Sequence, residues 1–547
     1  MKKRILSILA CVAVLTGVLM VRLLSIQILQ GRELARAAVQ QRARCYPLEM
    51  PRGRILDRNG VPLTDPKVKT AAIAFPPMMA KSESFAQEMA QILGMTPERV
   101  LGLLKSGDQP VRLAEINEDQ ARAIRDSAID GVLVVGENLR YGPASLARHV
   151  VGYVGSGGAG MSGIEKAFDK ELSGSQPTAV SVLVDAGGKA LSGIGYRIQD
   201  GHRYDRRLDV VLTIDAKVQS VVETVLDKRR IRRGAVVVLD ARTGEVLAMA
   251  SRPDFDQSQV GSYLDNPDGP LFDRAVNAFA PGSVFKVVVA AAALEEGVVG
   301  QMDRFFCDGE THIGNLRFKC ASADKGGHGP LNFLEALARS CNVAFIEVGQ
   351  RIGAERLLQY ARLFGFGEKS GIGLSEESGG TLPKVAEVTP GELANLSIGQ
   401  GRFTATPLQV ARAMTAIVND GRLLRPWLVK EVRTEAGMAV RVYEVPEPRR
   451  VISGTTARAV RRALVMATTG GNAGGAFVPG WGSAGKTGSA ETGKVGPDNR
   501  PVCHAWFVGY FPAMAPRYIC CVVVEEGGTG NAVAAPIFRE IMEGVAR

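Results

Sequence analysis

The chain has 547 residues, 46% hydrophobic and 22% charged, which excludes extended disorder and gives room for two or three domains with sizeable cores. The net charge is +10. That excess of base is neither interleaved with aromatic residues nor set in a nucleic-acid-binding motif, so nucleic acid is excluded as a partner, whereas an anionic lipid surface suits it.

The N-terminus opens with Met1-Lys-Lys-Arg4, followed by residues 5–21 without a charge and then, after Arg22, by Leu23, Leu24, Ile26, Ile28 and Leu29. This length and composition predict a transmembrane anchor over residues 1–30, with Arg22 snorkelling to the outer interface. The basic cluster before it predicts a cytoplasmic N-terminus and places the rest of the chain outside. A cleaved signal peptide would need a shorter apolar core and a small-residue cleavage site, which residues 22–32 do not offer. Cys11 after Ala10 hints at a lipoprotein cleavage box, but the apolar run before it is too short.

Residues 31–210 read as a mixed α/β region, with helices over 84–93 and 118–125 and short strands over 71–74 and 132–135. Arg52, Arg54, Asp57 and Arg58 read as an ion-paired turn that organises the region. From 211 the pattern changes. A helix is expected over 216–226, ending in the basic run Lys228-Arg-Arg-Ile-Arg-Arg233, which reads as a solvated helix end. Residues 235–239 and 245–249 read as a β-hairpin turning through 240–244. Residues 504–511 and 518–524 read as a second hairpin, and 481–489 as a strand bordering a site. An antiparallel sheet between helices, an α+β fold, follows from that order.

Three short motifs then stand in sequence: Ser283-Val-Phe-Lys286, Ser340-Cys-Asn342 and Lys486-Thr-Gly488. A serine three before a lysine is weak alone, since Ser322-Ala-Asp-Lys325 and Ser483-Ala-Gly-Lys486 also occur. Ser283, however, follows Pro281-Gly282 and opens an apolar run, 287–294, closed by Glu295-Glu296-Gly297. It is expected in the first turn of a buried helix with Lys286 one turn on, on the same face. A serine hydroxyl needs a base to become a nucleophile. A lysine can be that base when burial lowers its pKa, and a helix N-terminus offers N–H groups to an oxyanion.

The triple resembles the penicillin-binding proteins, and within them the monofunctional class B D,D-transpeptidases of elongation, division or sporulation. The resemblance extends through Arg52-Gly-Arg-Ile-Leu-Asp-Arg-Asn-Gly60, His149-Val-Val-Gly-Tyr-Val-Gly155, Gly163-Ile-Glu-Lys-Ala-Phe-Asp169, Leu212-Thr-Ile-Asp215, 234–251 and Ala534-Ala-Pro-Ile-Phe538. It implies an N-terminal transmembrane helix at 1–30 and a mixed α/β pedestal of the dimerisation type at 31–210. A penicillin-binding transpeptidase domain at 211–547, its central antiparallel sheet flanked by helices, would follow. The family usually has an acidic residue at the place of Ala280 and a threonine at that of Val284, and neither position carries the chemistry.

What the resemblance implies for the site is specific. Ser283 would attack the carbonyl between two terminal D-alanines of a peptidoglycan stem peptide, and Lys286 would take its proton. Ser340 would relay a proton to the leaving amine, and Asn342 would hold the donor amide. Lys486 and Thr487 would bind the terminal carboxylate, Gly488 would admit the substrate backbone, and the N–H groups of Ser283 and Ser489 would form the oxyanion hole. β-Lactams would acylate the same serine. The implied partners are stem peptides, the plasma membrane and a SEDS-type membrane glycosyltransferase. Two other readings keep the same fold: a catalytically silent scaffold of a wall-synthesis complex, and a serine β-lactamase, which the long region before 211 argues against.

No cofactor and no metal is expected. There is no His-Glu-x-x-His, and no histidine stands with a cysteine set at zinc spacing. Of eight cysteines, Cys11 lies in the anchor and seven lie outside, so at least one is unpaired or pairs between chains. Cys307 and Cys320, flanking 308–319, are the pair expected to form a disulfide; the alternative is that all seven are small buried hydrophobes. Cys520 and Cys521 are expected on opposite faces of a strand.

Overall fold

The computed structural model describes residues 2–547 except 65–66, 80–82, 105–106, 108, 128, 156, 175–176, 192, 200–206 and 498. The chain forms two compact units, one of 1–51, 66–140 and 174–206, the other of 52–65, 141–173 and 207–547. Two stretches from inside the 31–210 interval therefore pack with the C-terminal residues.

In the first unit a helix over Lys2–Leu24 continues through a wider turn, Ser25–Leu29. With 28 residues and a mean hydropathy of 2.4 over its most apolar stretch, it is long and apolar enough to cross a membrane. A three-stranded antiparallel sheet of Val111–Glu115, Lys67–Ala74 and Val132–Leu139 carries helices Glu83–Leu93, Pro97–Leu104 and Glu118–Asp126 on one face. Ala72 and Ala74 meet Phe85, Met89 and Ile124 there, while Ala71 and Ile73 face Val180 and Val182 of a second small sheet. The period-2 alternation of one strand thus fills two cores.

The second unit is built on a five-stranded antiparallel sheet: β1 (Gly234–Asp240), β2 (Val246–Arg252), β3 (Ala484–Val495), β4 (Pro501–Phe511) and β5 (Tyr518–Val524), in the order β2-β1-β5-β4-β3. Both expected hairpins are present. The central strands read as unbroken apolar runs because both faces are covered. Val236 and Val238 of β1 and Cys520 and Val522 of β5 point to α1 (Ala216–Lys228) and the C-terminal helix Ala534–Val545. Val237, Leu239, Cys521 and Val523 point to the other core, with α2 (Lys286–Glu295) at its centre. Cys520 and Cys521 do lie on opposite faces.

The ion-paired turn is also present. Arg52 binds Glu165 at 2.5 Å and Asp169 at 2.7 Å, Arg54 binds Asp209, and Arg58 binds Glu245. Asp57 accepts the N–H groups of Asn59, Val61 and Ala216. At the basic helix end Arg229 pairs with Glu540, Arg232 with Asp268 and Arg233 with Glu526.

Candidate active site

Ser283 lies in a short 3₁₀ turn, Gly282–Phe285, that leads into α2. The tighter turn replaces the first α-helical turn expected from the sequence, and its entry needs glycine: Gly282 has φ +60° and donates its N–H to Gly399 O at 2.9 Å. A Cβ on Gly399 would stand 2.0 Å from Gly282 O, so the two glycines set how closely these segments approach. The run after Lys286 is buried from Val287 to Ala293, because that part of α2 sits inside the core rather than on its surface. Ser283 itself is half-buried, and its hydroxyl makes no hydrogen bond among the described residues.

Ser340 and Asn342 occupy the corner between two helices. Helix α3 (Phe333–Ala338) begins with a reciprocal cap between Asn332 and Glu335. It ends with Ser340 N–H on Leu337 O and Cys341 N–H on Ala336 O, the paired bonds of a Schellman motif. Ser340 takes the left-handed position of that motif, φ +60°, where glycine is usual. Helix α4 (Asn342–Ile352) starts immediately.

Lys286 reaches this corner. Its ammonium is fully buried and donates to Ser340 O at 2.8 Å and Asn342 Oδ1 at 2.6 Å, with Ser340 Oγ at 3.5 Å. Asn342 is oriented from its other end by donation to Lys319 O at 2.8 Å. Burial brings the Lys286 pKa down to about 8, against a pull upward from Cys320, Cys341 and Cys307.

Lys486, Thr487 and Gly488 lie on β3, the edge strand, beside the Ser283 turn. The Lys486 ammonium, expected to face a carboxylate, is 1% exposed and donates to Ser340 Oγ at 2.7 Å and Thr487 O at 2.9 Å. Burial, and then the charge of Lys286, holds its pKa well below the usual lysine range. Thr487 donates to Asn472 O at 3.3 Å. Gly488 has a reason beyond substrate access. A Cβ there would stand 2.9 Å from Pro281 O and 3.1 Å from both Val284 Cγ1 and Trp506 Cβ, so the missing side chain lets β3 lie against the Ser283 turn. Ser489 is exposed, and its Oγ accepts Gly530 N–H at 3.2 Å. The structure thus gathers Lys286, Ser340, Asn342 and Lys486 into one hydrogen-bonded set, with Ser283, Gly488 and Ser489 along its flank.

The thiols differ from expectation. Cys307 and Cys320 are both free rather than bridged. No histidine stands at zinc spacing from a cysteine set in the sequence, yet in space Cys307, Cys320, His328 and Cys341 bring their Sγ and ring-nitrogen atoms within 4.8 Å of one another. The spacing matches no linear zinc motif because two strands and a hairpin bring the residues together. The one linear signal was Cys341 in the middle of the Ser340 motif. Contact with Cys341 lowers the Cys320 thiol pKa, and the same contact raises that of Cys341.

Comparison with known proteins places the chain in one family. Residues 234–543 match the penicillin binding protein transpeptidase domain, and residues 47–201 the penicillin-binding protein dimerisation domain. Stage V sporulation protein D of Bacillus subtilis is 33% identical over 99% of this chain and 85% of its own length. The peptidoglycan D,D-transpeptidase MrdA of Acinetobacter baumannii is 30% identical over 94% of this chain and 83% of its own. Among solved structures, penicillin binding protein 3 of Mycobacterium tuberculosis complexed with aztreonam aligns with a TM-score of 0.64 and 28% identity, covering 92% of this chain and 96% of that one. A serine-containing turn beside two buried lysines, on a sheet of this topology and with these relatives, marks the chain as a member of the class B penicillin-binding proteins, which join a dimerisation domain to a serine D,D-transpeptidase domain.

Proposed function

We propose that the chain crosslinks peptidoglycan by passing a stem peptide through an acyl-enzyme on Ser283. Ser283 Oγ attacks the carbonyl between the two terminal D-alanines of a donor stem, and neutral Lys286 takes the hydroxyl proton. The oxyanion is held by the N–H groups of Ser283 and Ser489. The proton passes through Ser340 to the departing D-alanine amine as the C–N bond breaks. Asn342 holds the donor amide, and Lys486 and Thr487 select the terminal carboxylate. An amine of a neighbouring stem then attacks the ester, forming the crosslink and returning Ser283 to its hydroxyl. β-Lactams enter by the same first step and stay bound.

The observation that carries this reading is the buried set in which Lys286 and Lys486 both reach Ser340 Oγ. Two desolvated lysines around one hydroxyl are costly for a fold and useful for moving a proton. We divide the chain into an anchor at 1–30, a pedestal at 31–210 and the transpeptidase domain at 211–547. The anchor crosses the plasma membrane once with its N-terminus in the cytoplasm, supported by the basic residues at 2–4 ahead of the apolar helix. The acting partner that polymerises the glycan is a SEDS-type membrane glycosyltransferase met through anchor and pedestal.

Fluorescent penicillin incubated with the purified full chain tests the assignment. Covalent labelling in the wild type and none in Ser283→Ala is the expected result. An unlabelled wild type ends the enzyme reading, and rapid release of hydrolysed drug points instead to a β-lactamase.

A further inference from the structure

We propose that His504 is a positioning residue for the acylation step, holding the segment 526–530 against β3 so that Ser489 keeps its place beside Ser283. The inference rests on the oxyanion roles of the Ser283 and Ser489 N–H groups. His504 lies on β4 opposite Ala490, the residue after Ser489. Its ring is half-buried and meets Phe279, four residues before Ser283, edge-on with centroids 5.6 Å apart. A Cβ on Gly282 would stand 3.2 Å from both Ala490 Cβ and Ser489 C. The ring therefore touches the segment that leads to one donor and pairs across from the neighbour of the other.

Beyond β5 the chain turns back over this corner. Glu526 takes the left-handed conformation at φ +50°, which is uncommon for a residue with a side chain. Three contacts fix it there. Its N–H donates to His504 Nδ1 at 3.2 Å, and its carboxylate pairs with Arg233 and with Lys494, each at 2.7 Å. Gly528 N–H then meets Cys503 O at 3.1 Å, and Gly530 N–H meets Ser489 Oγ at 3.2 Å. Gly530 comes so close that a Cβ on it would stand 2.3 Å from Trp506 O and 2.5 Å from Gly488 O. The segment thus lies against the backbone of β3 at Gly488 and Ser489. That support matters because β3 is the edge of the sheet and has β4 as its one neighbouring strand.

The bond from Glu526 sets the state of the ring. A backbone N–H can only donate, so Nδ1 carries no proton and the neutral ring keeps its proton on Nε2. Protonating Nδ1 would set two donors against each other and release the segment. Burial has the largest influence and holds the His504 pKa below the ordinary histidine value. Of the charged groups facing the ring, Glu525 and Glu526 pull upward while Arg233 and Lys494 push downward; Glu525 is itself paired with Arg274. At neutral pH the ring is therefore uncharged and the bond stands.

The test measures acylation of the full chain in detergent by fluorescent penicillin, for the wild type and two variants. His504→Asn keeps an acceptor near the place of Nδ1 and does not titrate, whereas His504→Phe keeps the ring against Phe279 and has no acceptor. At about pH 7.5 His504→Phe should be slower than the wild type by roughly three- to tenfold, and His504→Asn within about twofold of it, as one neutral hydrogen bond implies. From about pH 7 to about pH 5 the ratio of wild type to His504→Phe should fall toward one, while that of His504→Asn to His504→Phe should hold. The titration of Lys286 cancels in both ratios. Amides 526–530 should also exchange hydrogen faster in His504→Phe. His504→Phe labelled as fast as a labelled wild type overturns this inference alone, as does a wild-type ratio that ignores pH, or His504→Asn as slow as His504→Phe. A wild type that does not label overturns the acyl-enzyme reading and the role of His504 together.

Discussion

The pH dependence of acylation follows from the burial of Lys286. With its pKa brought to about 8, the neutral fraction that can accept the Ser283 proton is about one part in eleven at pH 7, half at pH 8 and about ten in eleven at pH 9. The second-order rate of acylation by a fluorescent penicillin should therefore rise about tenfold from pH 7 to pH 9 and level off above. Burial, and then the charge of Lys286, holds Lys486 well below the usual lysine range as well. Stability moves in the same direction. The folded pKa lies below the unfolded value near 10.5, so the unfolded chain binds more protons between pH 8 and pH 10.5, and the folded state gains as pH rises through that interval. Below pH 8 both states hold the proton, and the buried ammonium costs of order 3 kcal/mol. Rates measured at constant ionic strength from pH 6 to pH 10, with the melting temperature followed in parallel, check both statements. A flat or falling acylation rate between pH 7 and pH 9 would refute Lys286 as the base.

Lys486→Ala should slow acylation by carboxylate-bearing β-lactams roughly ten- to a hundredfold, the worth of a charge-assisted hydrogen bond of about 1.5–3 kcal/mol; unchanged acylation with a much lower melting temperature would make the lysine purely structural. Gly488→Ala should push β3 away from the Ser283 turn, because the new Cβ stands 2.9 Å from Pro281 O. Misplacement on that scale costs on the order of a hundredfold in rate, measurable by the same labelling, and a wild-type rate in a folded variant sinks the argument. Arg52→Met should lower stability by about 3–5 kcal/mol, since it removes the guanidinium that pairs at 2.5 Å with the fully buried Glu165 carboxylate. Denaturant unfolding reads that loss.

The sheet and the three motifs were legible because they rest on local rules. Alternating burial on both faces writes β1 and β5 as apolar runs, and a buried helix writes 287–294 without a polar residue. The 3₁₀ turn at Ser283 was not legible, because it depends on how closely Gly282 meets Gly399, more than a hundred residues away. Nor was the direction of the Lys486 ammonium. The strand period places Lys486 and Thr487 on opposite faces, but only the tertiary structure puts Ser340 Oγ within 2.7 Å of one of them. The cysteine cluster escaped for the same reason: its members come from a strand end, a hairpin return, a loop and a helix corner. Gly309 and Gly327 are demanded by their contacts with Ala323 and Cys307, which only the tertiary structure brings together.

The two lysines also explain each other. Lys286 and Lys486 both reach Ser340 Oγ, so their ammoniums stand no more than about 6 Å apart. Two unit charges at that distance repel by about 3 kcal/mol at an effective dielectric of 20, equivalent to about two pKa units. Desolvation also weighs against each charge, so the two lysines titrate as a coupled pair. The three cysteines pull the Lys286 pKa upward, and Asn342 Oδ1 and Ser340 O accept from its ammonium. In the proposed mechanism that arrangement gives the proton of Ser283 a closed route. Lys286 accepts it, Ser340 Oγ stands within reach of both nitrogens, and the leaving amine receives a proton without bulk water supplying one. A single buried lysine would give the base and lose the relay. The second lysine is what allows an uncharged acceptor and a charged donor to coexist around one hydroxyl.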